Sequence, residues 1–350
     1  MVRFADVPDD DVLEFGSTEP GRLYLWFPVG HALRKVRRYL QHSGRSFIAT
    51  HTGALAVDAP TGYPDDLIME LVELLSDHEA GDTRSVFKAG YDDLEVDDIR
   101  RVRTIAELGQ IRESAWLVDM LRCNRLTSLF QPIVRADEPF RVFGHEALVR
   151  GIGYDGSTVS PGSLFNAARG CGLLPQLDCA ARRSAIRAVA RQDDDRQLFL
   201  NFTPESVRDG VHTLAPTIAA IDSAEILRER VIFEVIEAEQ AADVRQLRSV
   251  VECVRGAGFR VALDDVSCDE RSRRLVHEVR PDFVKLDMGR IRSSGLPRLE
   301  EAERVLELAQ QLKIETIAEG VESGEELEWN RQHGATYVQG FFIARPAALL

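Results

Sequence analysis

Two acids side by side, Asp264 and Asp265, close the short apolar run Val261-Ala262-Leu263. Such a run, with a β-branched valine at its head, predicts a buried strand. Neighbouring strand residues point to opposite faces, so both carboxylates reach one site only where the strand ends and the backbone turns. Carboxylates that close repel unless a positive charge lies between them, and Mg²⁺ or Mn²⁺ prefers carboxylate oxygen. A helix N-cap is the competing reading, since Asp is common there. Other polar residues also stand at the ends of short apolar runs: Glu146, Asn201, Glu234, Lys285 with Asp287, Glu319 with Glu322, and Gln339 before Gly340. A ring of uncompensated acids is strongly destabilising, which implies bound cations. An oxygen-rich set with one Asn carbonyl fits Mg²⁺, Mn²⁺ or Ca²⁺ better than zinc. Lys285 among carboxylates is either a structural ion pair or a group that orients an attacking water and stabilises charge developing on phosphate.

The elements that must position these residues follow from the hydrophobic pattern. Apolar runs at 129–134, 142–149, 198–201, 231–236, 260–265, 283–285, 315–319 and 337–342 predict strands. Helical spacing falls between the later ones, at 182–191, 242–257, 299–312 and 324–333. Eight strands alternating with helices predict an α/β fold, a (β/α)8 TIM-like barrel. Its reactive groups then gather at the C-terminal strand ends. The first two runs are joined by a short turn around Asp137-Glu138-Pro139, too short for a crossover helix, so the first strand is expected to be antiparallel. Ahead of the barrel, strands at 22–27, 46–50 and 54–57 and helices at 31–41 and 64–78 predict a small α/β unit. The expected organisation is a regulatory or interaction domain at 1–95, a connecting helix at 96–127 and the barrel at 128–350.

Composition narrows the function class. The 350 residues carry a formal net charge of -14, which argues against direct DNA binding, since that needs a basic face. A small phosphate substrate stays compatible where metal ions supply the positive charge. Five scattered cysteines without a CxxC pair argue against a zinc site or disulfide framework and fit a reducing compartment. The first residues hold no apolar signal-peptide core, and no run approaches a membrane span, so a cytoplasmic location without a membrane segment is expected.

Phe130-Gln131-Pro132-Ile133-Val134 followed by Gly144-His145-Glu146-Ala147-Leu148-Val149-Arg150 resembles the start of an EAL domain, the cyclic di-GMP phosphodiesterase family. Leu200-Asn201-Phe202-Thr203-Pro204, Phe233-Glu234-Val235-Ile236-Glu237, Leu263-Asp264-Asp265, Val284-Lys285-Leu286-Asp287, Ala318-Glu319-Gly320-Val321-Glu322 and Gln339-Gly340-Phe341-Phe342 continue the resemblance in order, from Leu129 to about Pro346. The resemblance implies hydrolysis of cyclic di-GMP to linear pGpG with two Mg²⁺ or Mn²⁺ ions, and Ca²⁺ as an inhibitor. It implies one metal on Glu146, Asn201, Glu234 and Asp264, and a second on Asp264, Asp265 and Glu319. Lys285 and Glu319 would position or deprotonate the water. Gln131, Arg150 and Gln339 would contact substrate. Glu237 and Glu322 would support the site or anchor a loop, and Asp287 would orient Lys285. The resemblance implies a homodimer; a signalling partner reached through the N-terminal unit is an expectation from that unit's position alone, and a purely structural extension is its alternative.

The sequence departs from the family after the acid pair. Members usually have a Phe-Gly and a glycine-containing turn, whereas this chain has Val266-Ser267-Cys268-Asp269-Glu270-Arg271-Ser272-Arg273-Arg274 at unchanged spacing to Lys285. The glycines that permit positive φ are gone, which sets full activity and the usual dimer against this loop. Ile236 stands where a hydroxyl residue is common, and Gly151 where an aromatic is frequent. The alternative function is therefore a catalytically weak or inactive EAL-type receptor for cyclic di-GMP, or a protein-interaction module.

Overall fold

The computed structural model describes residues 18–96, 98, 101–192, 195–203, 214–236, 244–267, 269–289 and 296–349. They form two compact units. One runs up to Asp119 and takes in Asn166–Leu173; the other comprises Met120–Phe165 and the chain from Leu174 onward.

The first unit holds β1 (Gly21–Trp26), α1 (Gly30–His42), β2 (Phe47–Ala49), β3 (Leu55–Ala59), α2 (Asp65–Leu74), α3 (Asp77–Asp82), β4 (Arg84–Ala89), β5 (Arg103–Thr104) and α4 (Ile105–Glu113). Its five strands form one antiparallel sheet in the order β2-β3-β1-β4-β5. Two helices expected to be continuous are interrupted, each by a capping box, in which Ser or Thr and a Glu three residues on satisfy each other's backbone N–H. Ser76 with Glu79 starts α3 and so ends the helix expected at 64–78 at Leu74. Thr104 with Glu107 starts α4. The stretch 96–127, expected as one connecting helix, is thus β5, α4 and α5 (Ala115–Arg122), with a break at Ser114. Strands β4 and β5 escaped the hydrophobic pattern because Arg84 and Lys88 punctuate the first and the second has only two residues.

The second unit continues with β6 (Leu126–Arg135), β7 (Val142–Ile152), β8 (Thr158–Val159), α6 (Pro161–Gly170, whose end belongs to the first unit), α7 (Leu174–Val189), β9 (Gln197–Phe202), α8 (Ala215–Ser223), β10 (Val231–Val235), α9 (Val244–Gly256), β11 (Arg260–Leu263), α10 (Glu270–Val279), β12 (Phe283–Asp287), α11 (Leu296–Leu312), β13 (Glu315–Glu319), α12 (Gly324–Gln332) and β14 (Tyr337–Val338). The strand order β6-β14-β13-β12-β11-β10-β9-β7 is closed by pairing of β6 with β7, so eight strands make a barrel; β8 adds a short flap beside β7. β6 is antiparallel to both its neighbours, and the other seven barrel strands run parallel. The expected barrel with an antiparallel first strand is the fold observed.

Strand period places the site. Ile133, Phe199, Ile232, Ala262, Phe283, Ile317 and Tyr337 form one buried cluster with Phe143, a plug across the barrel interior. Their neighbours on the opposite face, including Leu198, Leu200, Phe233, Val261, Leu263, Val284 and Val338, belong to the larger cluster with the helices. Two residues further along each parallel strand, on the plug's own face, come Asn201, Glu234, Asp264, Lys285, Glu319 and Gln339. On the reversed β6 the same step from Ile133 leads back to Gln131. On β7 the residue two before Glu146 is Gly144, where a Cβ would lie 2.7 Å from the Gln197 carbonyl oxygen. A glycine is required there by close approach rather than by φ. The polar layer therefore rests directly on an aromatic and aliphatic floor. Replacing Phe283, which is fully buried, by Ala should remove about 3–5 kcal/mol of barrel stability, read as a lowered urea midpoint; an unchanged midpoint would contradict this floor.

Candidate active site

The chain at the end of β11 turns as the two acids require. Asp264 N–H still donates to the Val235 carbonyl at 3.1 Å, continuing the ladder. Asp265 then adopts φ +54°, the left-handed region, which Asp tolerates better than most residues. Val266 N–H returns to the Lys285 carbonyl at 3.1 Å. Carboxylate oxygens of Asp264, Asp265 and Glu319 come within 4.8 Å of one another. Neither adjacent acid caps a helix: the cap of α10 is Asp269, which accepts from Ser272 N–H at 2.8 Å. The segment expected as a charged loop is thus helical from Glu270 onward, and Cys268 lies outside the described residues.

Lys285 sits at the centre, fully buried. Its Nζ lies 2.7 Å from Glu234 Oε1, 2.5 Å from Glu319 Oε1, and 3.4 Å from both Glu146 Oε2 and Asp264 Oδ1. Burial alone would favour the neutral amine, but Asp264, Glu146, Glu234 and Glu319 outweigh it and hold Lys285 well above its ordinary range. Burial pushes Glu234 and Glu319 well above the usual carboxylate range and raises Asp264 too, and mutual repulsion adds to it while Lys285 opposes. Glu146 goes the other way: against the upward push of burial, Lys285, Gln339 and Asn201 together keep it low.

Hydrogen bonds orient the Glu146 side. Asn201 Nδ2 donates to Glu146 Oε1 at 3.2 Å; the side-chain Oδ1 of the same amide is an acceptor of the kind a cation takes. Gln339 Nε2 donates to Glu146 Oε2 at 2.7 Å and to Gln131 Oε1 at 3.2 Å, and Gln131 Nε2 donates to the Ala344 carbonyl. Gln131 and Gln339, expected to meet substrate, are both buried; Gln339 holds Glu146 directly and Gln131 holds Gln339. Arg150 is half-buried, its Nη1 donating to the Val149 carbonyl. Asp287 pairs in register with Glu319, but the carboxylates that grip Lys285 are the other four. Glu322 is exposed, its N–H held by Glu326 of α12. Glu237 lies outside the described residues. At Gly151 a Cβ would meet Met120 Sδ at 2.6 Å, so a larger residue there requires the Met120 side chain to move.

Among the described residues, Glu234 Oε2 and Gln339 Oε1 are buried and meet no hydrogen-bond donor, while Glu234 Oε1 and Asp264 Oδ1 face the Lys285 ammonium alone. Buried acceptors left in this state are costly unless a cation meets them. The donor set is all oxygen, and it fits Mg²⁺ or Mn²⁺. A cavity of about 220 Å³ opens beside it, lined in part by Ser128, Glu146, Asn201 and Asp264. Asp178 and Arg182 of α7 line it as well. They escaped the sequence reading, although both interrupt the apolar stripe Leu174, Leu177, Ala185, Ile186, Val189 at helical spacing.

Because the folded chain holds protons on Glu234, Glu319 and Asp264 that the unfolded chain releases, the metal-free protein should lose stability as pH rises above the ordinary carboxylate range. A cation must displace those protons, so its binding strengthens over the same window. The gain in melting temperature from saturating Mn²⁺ should grow between about pH 5 and about pH 8. A pH-independent gain would count against cation binding by this cage.

Residues 114–346 match the EAL domain family. The chain is 27% identical over 233 residues to a probable cyclic di-GMP phosphodiesterase, PdeB, of Escherichia coli, covering 65% of this chain and 44% of that protein. It is also 27% identical over 260 residues to the cyclic di-GMP phosphodiesterase NbdA of Pseudomonas aeruginosa, covering 71% and 32%. The chain thus spans half or less of the length of these curated relatives. Among solved structures, a standalone versatile EAL protein from Vibrio cholerae in its c-di-GMP-bound form is similar at 29% identity and TM-score 0.55, covering 63% of this chain and 92% of that one. The FimX EAL domain of Xanthomonas citri, in complex with c-di-GMP, shares the fold at 22% identity and TM-score 0.62, covering 70% and 97%. No helix among the described residues is long and apolar enough to cross a membrane.

Proposed function

The chain belongs to the EAL-domain family, and on that premise we propose that its barrel hydrolyses cyclic di-GMP to linear pGpG with the aid of two divalent cations, Mg²⁺ or Mn²⁺. The observation that carries this reading is the cage of Glu146, Glu234, Asp264 and Glu319 around the one ammonium of Lys285, with Glu234 Oε2 buried and without a hydrogen bond. Glu146, Asn201, Glu234 and Asp264 would hold one cation, and Asp264, Asp265 and Glu319 the other. Bound there, the cations would neutralise phosphate oxygens and lower the pKa of a water.

The chain's own groups supply the rest. Lys285, held charged by its neighbours, orients the attacking water and faces the negative charge that grows on the phosphate. Glu319, in contact with Lys285 and ionised once a cation has displaced its proton, would take the water's proton. As the water oxygen bonds to phosphorus, the bridging P–O3′ bond breaks and the 3′ oxygen leaves with a proton. The ring opens to a linear dinucleotide bearing a 5′ phosphate. Arg150, with its planar donor fork, is suited to a phosphate or a guanine edge. Gln339 orients Glu146, Gln131 steadies Gln339, and both would also contact substrate.

The test is turnover of cyclic di-GMP by the purified chain with Mg²⁺ or Mn²⁺, following pGpG by chromatography. Glu146→Ala should lower kcat by at least about a thousandfold. Calcium should support binding but not hydrolysis. Saturable binding of cyclic di-GMP without hydrolysis under any of these ions would replace the enzyme by a receptor.

A second expectation concerns Lys285→Met. It leaves two buried acids, Glu146 and Glu234, and two partly buried ones, Asp264 and Glu319, without their shared cation, so the metal-free variant should lose about 3–5 kcal/mol of stability and much of it should return with Mn²⁺, while turnover stays abolished. A stable metal-free variant, measured by urea unfolding in EDTA, would show that the acids do not depend on Lys285.

A further inference from the structure

The geometry points to Asp178 and Arg182 as positioning residues: together they fix the exit of β9 and so aim the Asn201 side chain at the cation site. The inference rests on the cation-dependent hydrolysis proposed above.

Both residues lie on the buried stripe of α7, Asp178 2% and Arg182 3% exposed. A carboxylate and a guanidinium this deep are kept only where their partners are well placed. Arg182 Nη1 lies 3.5 Å from Asp178 Oδ2. The same Oδ2 accepts Thr203 N–H at 2.9 Å and Thr203 Oγ1–H at 2.8 Å. Arg182 Nη1 also donates to the Asn201 carbonyl at 3.4 Å, and its Nε donates to Thr217 Oγ1 of α8 at 3.1 Å. Thr217 is fully buried.

The tethered groups are not scattered. The Asn201 carbonyl and the Thr203 N–H flank Phe202, which is itself fully buried and packs edge-on against Phe233 at 5.9 Å between ring centroids. Two polar ties from α7 and one aromatic anchor therefore fix three consecutive residues. Asn201 is the first of them, and its side chain donates to Glu146. A continuous path runs from Thr217 through Arg182 and Asp178 to the β9 exit, then to Asn201 and Glu146. Asp178, Arg182, Asn201 and Glu146 all line the one cavity.

A purely structural ion pair would stabilise the fold and leave the cation site indifferent to its details. A positioning pair makes cation affinity sensitive to the guanidinium's shape. Arg182→Lys separates the two, because lysine keeps a charge beside Asp178 but lacks the planar fork that reaches Thr217 and the Asn201 carbonyl together.

The experiment measures Mn²⁺ affinity by electron paramagnetic resonance on the full chain, beside cyclic di-GMP turnover and thermal unfolding. In Arg182→Lys the Mn²⁺ dissociation constant should rise at least about tenfold, the size expected when the group behind a ligand is lost, and kcat should fall more than KM changes. Should Arg182→Lys not fold at the assay temperature, Thr217→Val replaces it, removing only the hydroxyl that receives Nε; its Mn²⁺ binding should weaken severalfold. If the wild type binds Mn²⁺ and the folded variant binds it equally well, the inference is overturned and the proposed function stands. If the wild type neither binds Mn²⁺ nor hydrolyses cyclic di-GMP, the proposed function fails and takes the inference with it.

Discussion

One ammonium group organises the top of this barrel. Lys285 is buried completely, and stripping water from an isolated ammonium costs several kcal/mol. It remains charged because Glu146, Glu234, Asp264 and Glu319 surround it. They in turn tolerate burial because it is there. The balance is uneven, since four acids face one base. The excess appears as carboxyl groups pushed upward at Glu234, Glu319 and Asp264. A site in that condition has a standing appetite for a further positive charge, and divalent ions meet it with oxygen ligands already in place.

Such a cluster can be held only by a scaffold that brings many strands to one point in fixed register. Glu234 is opposite Asn201 on one side and Ala262 on the other, and Asp287 is opposite Glu319. Slipping any of these strands by one residue would turn its polar group outward among the helices and its outward apolar residue into the cage. The apolar plug two residues below resists that slip, because Phe199, Phe283 and Tyr337 would have to leave a packed aromatic layer with Phe143. Packing energy in the floor thus becomes positional accuracy in the site.

This layering explains which parts were legible in the sequence. An apolar run ending in a polar residue states both the strand and its reactive end, so Glu234, Asp264 and Lys285 could be read directly. The antiparallel opening was legible because Asp137-Glu138-Pro139 leaves no room for a helix. Asp178 and Arg182 carried a weaker signal, two charges in an apolar stripe, which gains meaning only once Thr203 and Asn201 are seen beside them. The helix breaks at Ser76 and Thr104 were also encoded, as Ser or Thr three residues before Glu, but hydrophobic periodicity ran through them. Helix α10 was hidden by expectation: a segment rich in charge and lacking glycine reads as an altered loop, while its N-cap Asp269 marks a helix start.

That helix start bears on how the acid pair is held without glycine. Positive φ at Asp265 costs about 1–2 kcal/mol relative to an ordinary conformation, and the cost persists in every folded molecule. It is offset by bonds on either side. Val266 N–H is tied to the Lys285 carbonyl, Ser267 Oγ lies 2.9 Å from Ser272 Oγ, and Asp269 Oδ1 accepts both Ser272 N–H and Ser272 Oγ–H. Ser272 is itself 1% exposed, so its end of these bonds is shielded from water, while Asp269 is exposed. A glycine turn gains its shape by having few restraints. This turn is held by side-chain hydrogen bonds among Ser267, Asp269 and Ser272. The loss of the glycines removes conformational freedom from the segment after the acids without removing the geometry that brings Asp264, Asp265 and Glu319 together.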